Sequence, residues 1–323
     1  MRPIQQTAFA EMEKAKDRDV LVIAQTGSGK TEAVLAPVAD HLFNDRSANY
    51  SGIRALVISP TRALASDLYR RMAPVFQELN LRMDVMTSDL QTVSKSESTD
   101  ILIRTPEGLD RDLCYRRDIL SNIKEVVIDE IHQFINSSRG TQLAGLLSRL
   151  LVLSPQHRRL GISATITSVD APVHINLLRN PLVIEESHEL GTVKLLYYKW
   201  IGTPESGANQ FITWLRNKGV RKAIGFVKER KRAEEISHLL NRGFLLGKTY
   251  CHHADLSSFE RRRAEQLFRE AQAALIVATT TLEVGIDIGS IDTCILFDAP
   301  PNYSSYLQRI GRAGRRSGER RVA

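Results

Sequence analysis

Short apolar runs rich in β-branched residues recur along the first part of the chain: "VLVIA" (20–24), "ALVIS" (55–59), "ILIRT" (101–105), "EVVID" (125–129) and "LGISA" (160–164). Strands that are apolar at every position are buried on both faces, and helix-length connections between them argue for a parallel sheet covered by helices. A second series follows: "VKLLYYKWI" (193–201), "AIGFV" (223–227), "KTYCHH" (248–253), "ALIVAT" (274–279) and "TCILFD" (293–298). The architecture repeats, although the sequence does not. The pattern predicts an α/β protein of two tandem domains, each a mainly parallel sheet flanked by helices. Between the two series, "LLRNPLVIEESHELGTVK" carries Pro181, Gly191 and the acidic Glu185, Glu186 and Glu189. A linker is therefore expected near residues 186–192, giving domains 1–188 and 189–323. In open α/β sheets ligands sit beyond the carboxyl ends of the strands, and nearly every unusual residue of this chain lies there.

The totals narrow the class. A length of 323 residues suits two domains, each with its own core. Hydrophobic content of 42% and charged content of 25% suggest neither disorder nor a membrane protein. The longest apolar stretch, "TQLAGLLSRLLVLS", is interrupted by Arg149 and falls short of a span. Met1 to Asp19 is polar and helical in character, with no charged-then-apolar leader, so a cytoplasmic location is expected, nucleoid-associated if prokaryotic. Cys114, Cys251 and Cys294 lie far apart and indicate neither a disulfide framework nor a zinc site. A net charge of +7 favours a polyanionic partner, a pointer that needs local support.

Local support begins at Ala24, where A-Q-T-G-S-G-K-T fits a phosphate-binding loop except that alanine replaces its first glycine. Thr26, Gly27, Ser28 and Gly29 form the candidate cradle, the glycines letting backbone N–H groups turn inward. Lys30 is placed to reach the β and γ phosphates of ATP, and the Thr31 hydroxyl to bind Mg²⁺. A glycine-rich βα turn without a nucleotide is the plain alternative. In "VVIDEIH" a strand ends in adjacent carboxylates: Asp129 can hold Mg²⁺ through water, and Glu130 can orient and deprotonate an attacking water. Alone, that pair could be a strand ending in solvent. With the loop it specifies hydrolysis, because a kinase would need an acceptor site, and a small GTPase would lack Glu130 and the second domain.

The chain resembles a superfamily 2 helicase or translocase through an ordered series of motifs. "RPIQQTA", "AQTGSGKT", "SPTRALASDLYRRM", "TPEGLD", "VIDEIH" and "GISAT" lie in the first half. "FVKERKRAEE", "HHADLSSFERRRAEQLF", "ATTTLEVGIDIG" and "QRIGRAGRRSG" lie in the second. The resemblance implies two RecA-like domains with ATP between them and a nucleic-acid strand running across both. "DEIH" departs from the D-E-A-D box, and "TTTLEVGIDIG" with "QRIGRAGR" is most similar to the Lhr-like group, with YprA-type helicases next. That group implies an ATP-driven translocase on single-stranded nucleic acid, DNA in preference to RNA, moving 3′ to 5′. Its members usually continue into winged-helix and further domains after the last motif, whereas this chain stops at Ala323. It is read either as a fragment of a longer polypeptide with accessory carboxyl-terminal domains, or as a minimal motor whose accessory parts are missing or borrowed from partner proteins. An RNA helicase, a duplex-DNA translocase and an ATP-gated clamp are the alternatives.

The resemblance also implies roles. Gln5 matches the adenine-reading glutamine, with a helix cap as the alternative, and the upstream stacking aromatic has no counterpart. Thr61 and Arg62, with Thr105 and Pro106, match residues that touch the nucleic-acid backbone, contacts that position without reading sequence. Ser163 and Thr165 match a coupling motif, Gln308 a water-positioning residue, and Arg312 and Arg315 the arginine fingers. Gly285 and Asp287 belong to the same nucleotide-binding set. From spacing alone, Arg309, Arg312 and Arg315 would share roughly one helix face. Lys228, His253, Thr279 and Thr280 stand at strand ends as further candidates for nucleic-acid contact. The "CHH" at 251–253 lacks a fourth metal ligand nearby, and "FERRRAEQLF" reads as an amphipathic helix with a basic face.

Overall fold

In the computed structural model the polypeptide separates into two compact units, residues 1–187 and 188–323. The structure describes residues 2–24, 28–45, 52–87, 99–135, 137–164, 177–186, 193–194, 196, 198–199, 202–241, 248–283, 289–301, 303–313 and 321–322.

The first unit contains α1 (Pro3–Lys14), β1 (Val20–Ile23), α2 (Lys30–Asn44), β2 (Ala55–Ile58), α3 (Arg62–Glu78), β3 (Met83–Val85), β4 (Ile101–Arg104), α4 (Pro106–Tyr115), β5 (Glu125–Ile128), α5 (Ser138–Leu153), β6 (Arg158–Ser163) and β7 (Leu182–Glu185). Its sheet runs β3-β4-β2-β5-β6-β1-β7, with parallel pairings. Alternation along each strand sends Val22, Val57 and Ile103 into a core with α1, α2 and α3. It sends Leu21, Ile58 and Ile128 into a second core with α4 and α5. Both faces are dry, which explains the uniformly apolar runs. Ile103 is 0% exposed, so Ile103→Ala is expected to cost ~2–5 kcal/mol.

The register aligns the carboxyl ends of five strands. Ala24 N donates to Ser163 O (3.0 Å), Asp129 N to Ile58 O (2.9 Å) and Ser59 N to Arg104 O (2.8 Å). The candidate residues after β1, β2, β4, β5 and β6 therefore emerge along one edge.

The second unit contains β8 (Val193–Lys194), α6 (Pro204–Asn217), β9 (Lys222–Phe226), α7 (Arg230–Asn241), β10 (Thr249–His252), α8 (Ser258–Glu270), β11 (Ala274–Ala278), β12 (Thr293–Leu296), α9 (Tyr303–Ile310) and β13 (Arg321–Val322). Its parallel sheet runs β10-β11-β9-β12-β13-β8. Ile224, Ile276 and Phe268 fill one face, and Phe211, Leu215 and Val277 fill the other. Gly225 is needed in β9 because a Cβ there would sit 2.5 Å from the Phe297 ring.

Four strands depart from the apolar-run expectation. β3 and β13 have only three and two residues, β7 is a partly exposed edge strand, and β8 is shorter than the predicted 193–201. β7 pairs with β1 within the stretch read as the approach to the linker. Among the described residues, no helix is long and apolar enough to cross a membrane.

Candidate functional site

The turn after β1 enters α2 through Gly29, whose φ of +87° is the left-handed conformation that favours glycine. A Cβ at this position would also lie 2.5 Å from Gln5 Nε2. Gln5 has two attachments: its Oε1 accepts from Arg2 N (2.9 Å), closing the first turn of α1, and its Nε2 donates to Gly29 O (3.4 Å). The residue thus caps its own helix and braces the loop. Ser28 Oγ is buried without a hydrogen-bond partner among the described residues. Thr26 and Gly27 lie outside the described residues. Lys30 and Thr31 open α2, where the helix dipole favours an anion, with Lys30 only 6% exposed.

A buried lysine needs a counter-charge, and the turn after β5 supplies it. Lys30 Nζ lies 3.0 Å from Glu130, with both side chains under a tenth exposed. Glu130 adopts φ +46° and ψ +48°, a left-handed conformation found elsewhere among described non-glycine residues only at Asn80 and Asn180. Asparagine tolerates that region through its short polar side chain, whereas glutamate is held there at a cost of ~1–3 kcal/mol. The strain turns the carboxylate toward Lys30 and toward His132 Nδ1, 3.5 Å away. His132 Nδ1 in turn hydrogen-bonds Ser163 Oγ at 3.0 Å. A continuous chain therefore runs from Lys30 through Glu130 and His132 to Ser163 at the end of β6. Burial drives the His132 imidazole down to about 4, with the Lys30 charge acting in the same direction against Glu130, so it is neutral near pH 7.

Asp129 is 6% exposed, and its Oδ1 is buried without a hydrogen-bond partner among the described residues. Burial, reinforced by the adjacent Glu130 charge, pushes its carboxyl up to about 7, opposed by Lys30 and Arg71. His132 was part of the "VIDEIH" stretch but drew no role from sequence. A histidine two residues after the acidic pair was the available signal. Thr165, the second coupling candidate, lies outside the described residues.

Farther along the same edge, Thr61 and Thr105 are N-caps of α3 and α4, their hydroxyls accepting from Leu64 N and Gly108 N (both 3.3 Å). Arg62 and Thr61 are exposed, whereas Thr105 and Pro106 are buried at the start of α4. Arg104 grips Asp112 with two guanidinium nitrogens and fixes where α4 begins. The exposed N-terminus of α3 at this edge favours phosphate.

In the second unit, Gln308 and Arg309 lie on α9, which ends at Ile310. Arg312 therefore sits in the turn beyond the helix, not on a shared helical face as the spacing suggested; Gly311 and Arg312 N–H groups close that turn on Leu307 O and Arg309 O. A cation there suits the negative end of the helix dipole. Arg312 is 1% exposed and its Nη2 donates to Glu283 O (2.9 Å), while Arg309 Nε donates to Glu283 Oε1 (2.7 Å). Gly285, Asp287 and Arg315 lie outside the described residues. Lys228 and Thr280 are exposed at strand ends, and Thr279 is buried. His253 is 3% exposed and turned inward onto Glu234 (3.0 Å), so its ring is not displayed at the surface.

Comparison with known proteins follows the same order. Residues 2–171 match the DEAD/DEAH box helicase family, and residues 207–317 match the helicase conserved C-terminal domain. An ATP-dependent helicase Lhr-Core of Saccharolobus solfataricus is 30% identical over 92% of this chain and 38% of its own length. An ATP-dependent rRNA helicase of Kluyveromyces lactis is 30% identical over 98% of this chain and 65% of its own. The structure of Mycobacterium smegmatis helicase Lhr bound to ssDNA and AMP-PNP superposes with a TM-score of 0.80 at 27% identity, over 99% of this chain and 45% of that one. The chain spans about 38% of the length of the Lhr-Core relative. It belongs to the DEAD/DEAH box helicase family.

Proposed function

We propose that the chain is the motor core of an ATP-dependent helicase or translocase that moves along single-stranded DNA in the 3′ to 5′ direction. In this reading residues 1–188 form the ATP-binding domain and 189–323 the helicase C-terminal domain. The observation that carries it is the buried Lys30–Glu130 pair at the end of β5, with Asp129 beside it. Lys30 takes the β and γ phosphates, which releases Glu130 to orient a water. The water oxygen attacks the γ phosphorus, its proton passes to Glu130, and the bond to the β-phosphate oxygen breaks, leaving ADP. Arg312 and Arg315 counter charge on the transferring group, Gln308 helps to place the water, and Gly285 and Asp287 contact the nucleotide. Gln5, Thr26, Gly27, Ser28 and Gly29 hold the rest of it.

The residues present fit a magnesium ion: Asp129 Oδ1 is a buried carboxylate oxygen with no hydrogen-bond partner among the described residues, and hard oxygen donors suit Mg²⁺. Thr31 and Asp129 would hold it, the latter in part through water, and it would neutralise phosphate charge. A dication held there would also favour the ionised form of Asp129, offsetting the effect of burial.

Ser163 and Thr165 link this site to the strand-binding edge of the first unit, where Thr61, Arg62, Thr105 and Pro106 are assigned to nucleic acid. In the second unit Lys228, Thr279 and Thr280 are assigned likewise, whereas the inward-turned His253 is not. Binding there is to backbone, so it is salt-dependent and indifferent to sequence. The relative solved with ssDNA favours DNA. The similarity to an rRNA helicase keeps RNA as the second reading. Steady-state ATP hydrolysis with matched single-stranded DNA, single-stranded RNA and duplex DNA separates them, with Glu130→Gln as the blank. Stimulation chiefly by single-stranded DNA is expected; stimulation by RNA alone, or by duplex alone, overturns the substrate assignment.

A further inference from the structure

We infer that Glu283 is a positioning residue that fixes the finger arginine Arg312 to the turn at Thr280–Leu282. The inference rests on the reading of Arg312 given above. A short 3-10 turn, Thr280–Leu282, follows β11, and Glu283 closes it with N donating to Thr280 O at 3.0 Å. From there Glu283 makes two different contacts. Its Oε1 accepts from Arg309 Nε (2.7 Å) and lies 2.6 Å from Arg309 Nη2; its backbone carbonyl accepts from Arg312 Nη2 (2.9 Å). Arg309 is held on its other side as well, its guanidinium 5.2 Å from the centroid of the Phe226 ring at the end of β9. The Arg312 N–H donates to Arg309 O (3.1 Å), so the two arginines move as one turn.

The opposite side of the 3-10 turn is anchored too. Thr281 Oγ1 donates to His252 O (3.2 Å) and hydrogen-bonds His252 Nδ1 (2.8 Å), while His252 Nε2 meets Glu265 of α8 (2.9 Å). Between these anchors the Thr280 side remains exposed. One turn therefore carries the exposed Thr280 at its start and the support of Arg312 at its end, three residues apart. The Arg309 and Glu283 side chains are 2% and 9% exposed, and a buried ion pair of that kind adds little net stability compared with apolar packing. What it specifies is geometry, here the place of Arg312 relative to the turn.

The test uses the full chain and four variants, Glu283→Gln, Glu283→Asp, Arg309→Lys and Arg312→Ala, each with its Tm and its ATP hydrolysis in the presence of single-stranded DNA. Misplacing a catalytic group by a fraction of its contact distance can cost up to ~100-fold. Glu283→Gln is expected to lower stimulated kcat about 10- to 100-fold with KM for ATP held within about threefold. Glu283→Asp, which keeps the charge, should recover part of that loss. A folded Glu283→Gln with wild-type kcat, or with a change confined to KM, overturns the inference while an inactive Arg312→Ala leaves the functional reading standing. Normal turnover by Arg312→Ala removes the finger assignment and the inference with it. If Glu283→Gln does not fold, Arg309→Lys decides: a fall in kcat at near-native Tm supports the positioning role, and wild-type kcat refutes it.

Discussion

The strand-end clusters of the two units are opposite in charge. In the first, two buried carboxylates, Asp129 and Glu130, face one ammonium, Lys30; in the second, two buried guanidiniums, Arg309 and Arg312, share one glutamate, Glu283. In the first, burial, reinforced by the adjacent Glu130 charge, holds the Asp129 carboxyl well above its ordinary value. In the second, the Glu283 carboxylate meets Arg309 while its backbone carbonyl accepts from Arg312. A cluster short of cations suits a metal with its polyphosphate, and a cluster rich in guanidinium suits the anion that develops as phosphate transfers. In the proposed reading the two similar folds have different jobs: one holds the substrate and activates water, and the other supplies charge.

The contrast can be attacked from either side. Arg312→Ala should have the largest effect, about 10³- to 10⁵-fold on the single-turnover rate, as for other arginine fingers. Glu130→Gln should follow, lowering turnover about 10²- to 10⁴-fold while ATP still binds in a fluorescent-nucleotide titration; turnover near wild type would remove Glu130 as the base. Asp129→Asn should raise the Mg²⁺ concentration needed for half-maximal activity roughly 10- to 100-fold. An unchanged Mg²⁺ titration would show that the surplus carboxylate serves some other purpose. The smallest effect belongs to the exposed cations: Arg62→Ala and Lys228→Ala should each flatten the salt dependence of single-strand binding by ~0.7 in log–log slope. If either leaves the slope unchanged, its unit lacks that phosphate contact.

Much of this was legible in the sequence for a physical reason. The central strands β1, β2, β4, β5 and β6 are buried on both faces, so each wrote an unbroken apolar run, and the residues that follow them were the candidates. β7 wrote a weaker signal because it lies at the sheet edge and buries little, with Val183 51% exposed; β3, although buried, is three residues long and carries Asp84 at its centre, and β13 has only two residues. The candidate phosphate loop and acidic pair could be named from sequence because their signals are local. The Lys30–Glu130 contact was not, since it joins residues 100 apart, and neither were the strained Glu130 backbone, the His132–Ser163 link or the Glu283 grip on Arg309. Each depends on how strands are ordered in the sheet, which no window of sequence contains. The spacing of Arg309 and Arg312 misled for a related reason: helix periodicity says nothing of where α9 stops.

The most direct measurement compares ATP hydrolysis by the wild type, Glu130→Gln and Arg312→Ala side by side, with and without saturating single-stranded DNA, alongside ATP binding. The account requires hydrolysis by the wild type that rises with DNA, and at least ~10²-fold less in both variants, each of which still binds ATP. Wild-type turnover in either variant, or hydrolysis that ignores DNA, would contradict the assignment of these two clusters to one nucleic-acid-driven ATPase.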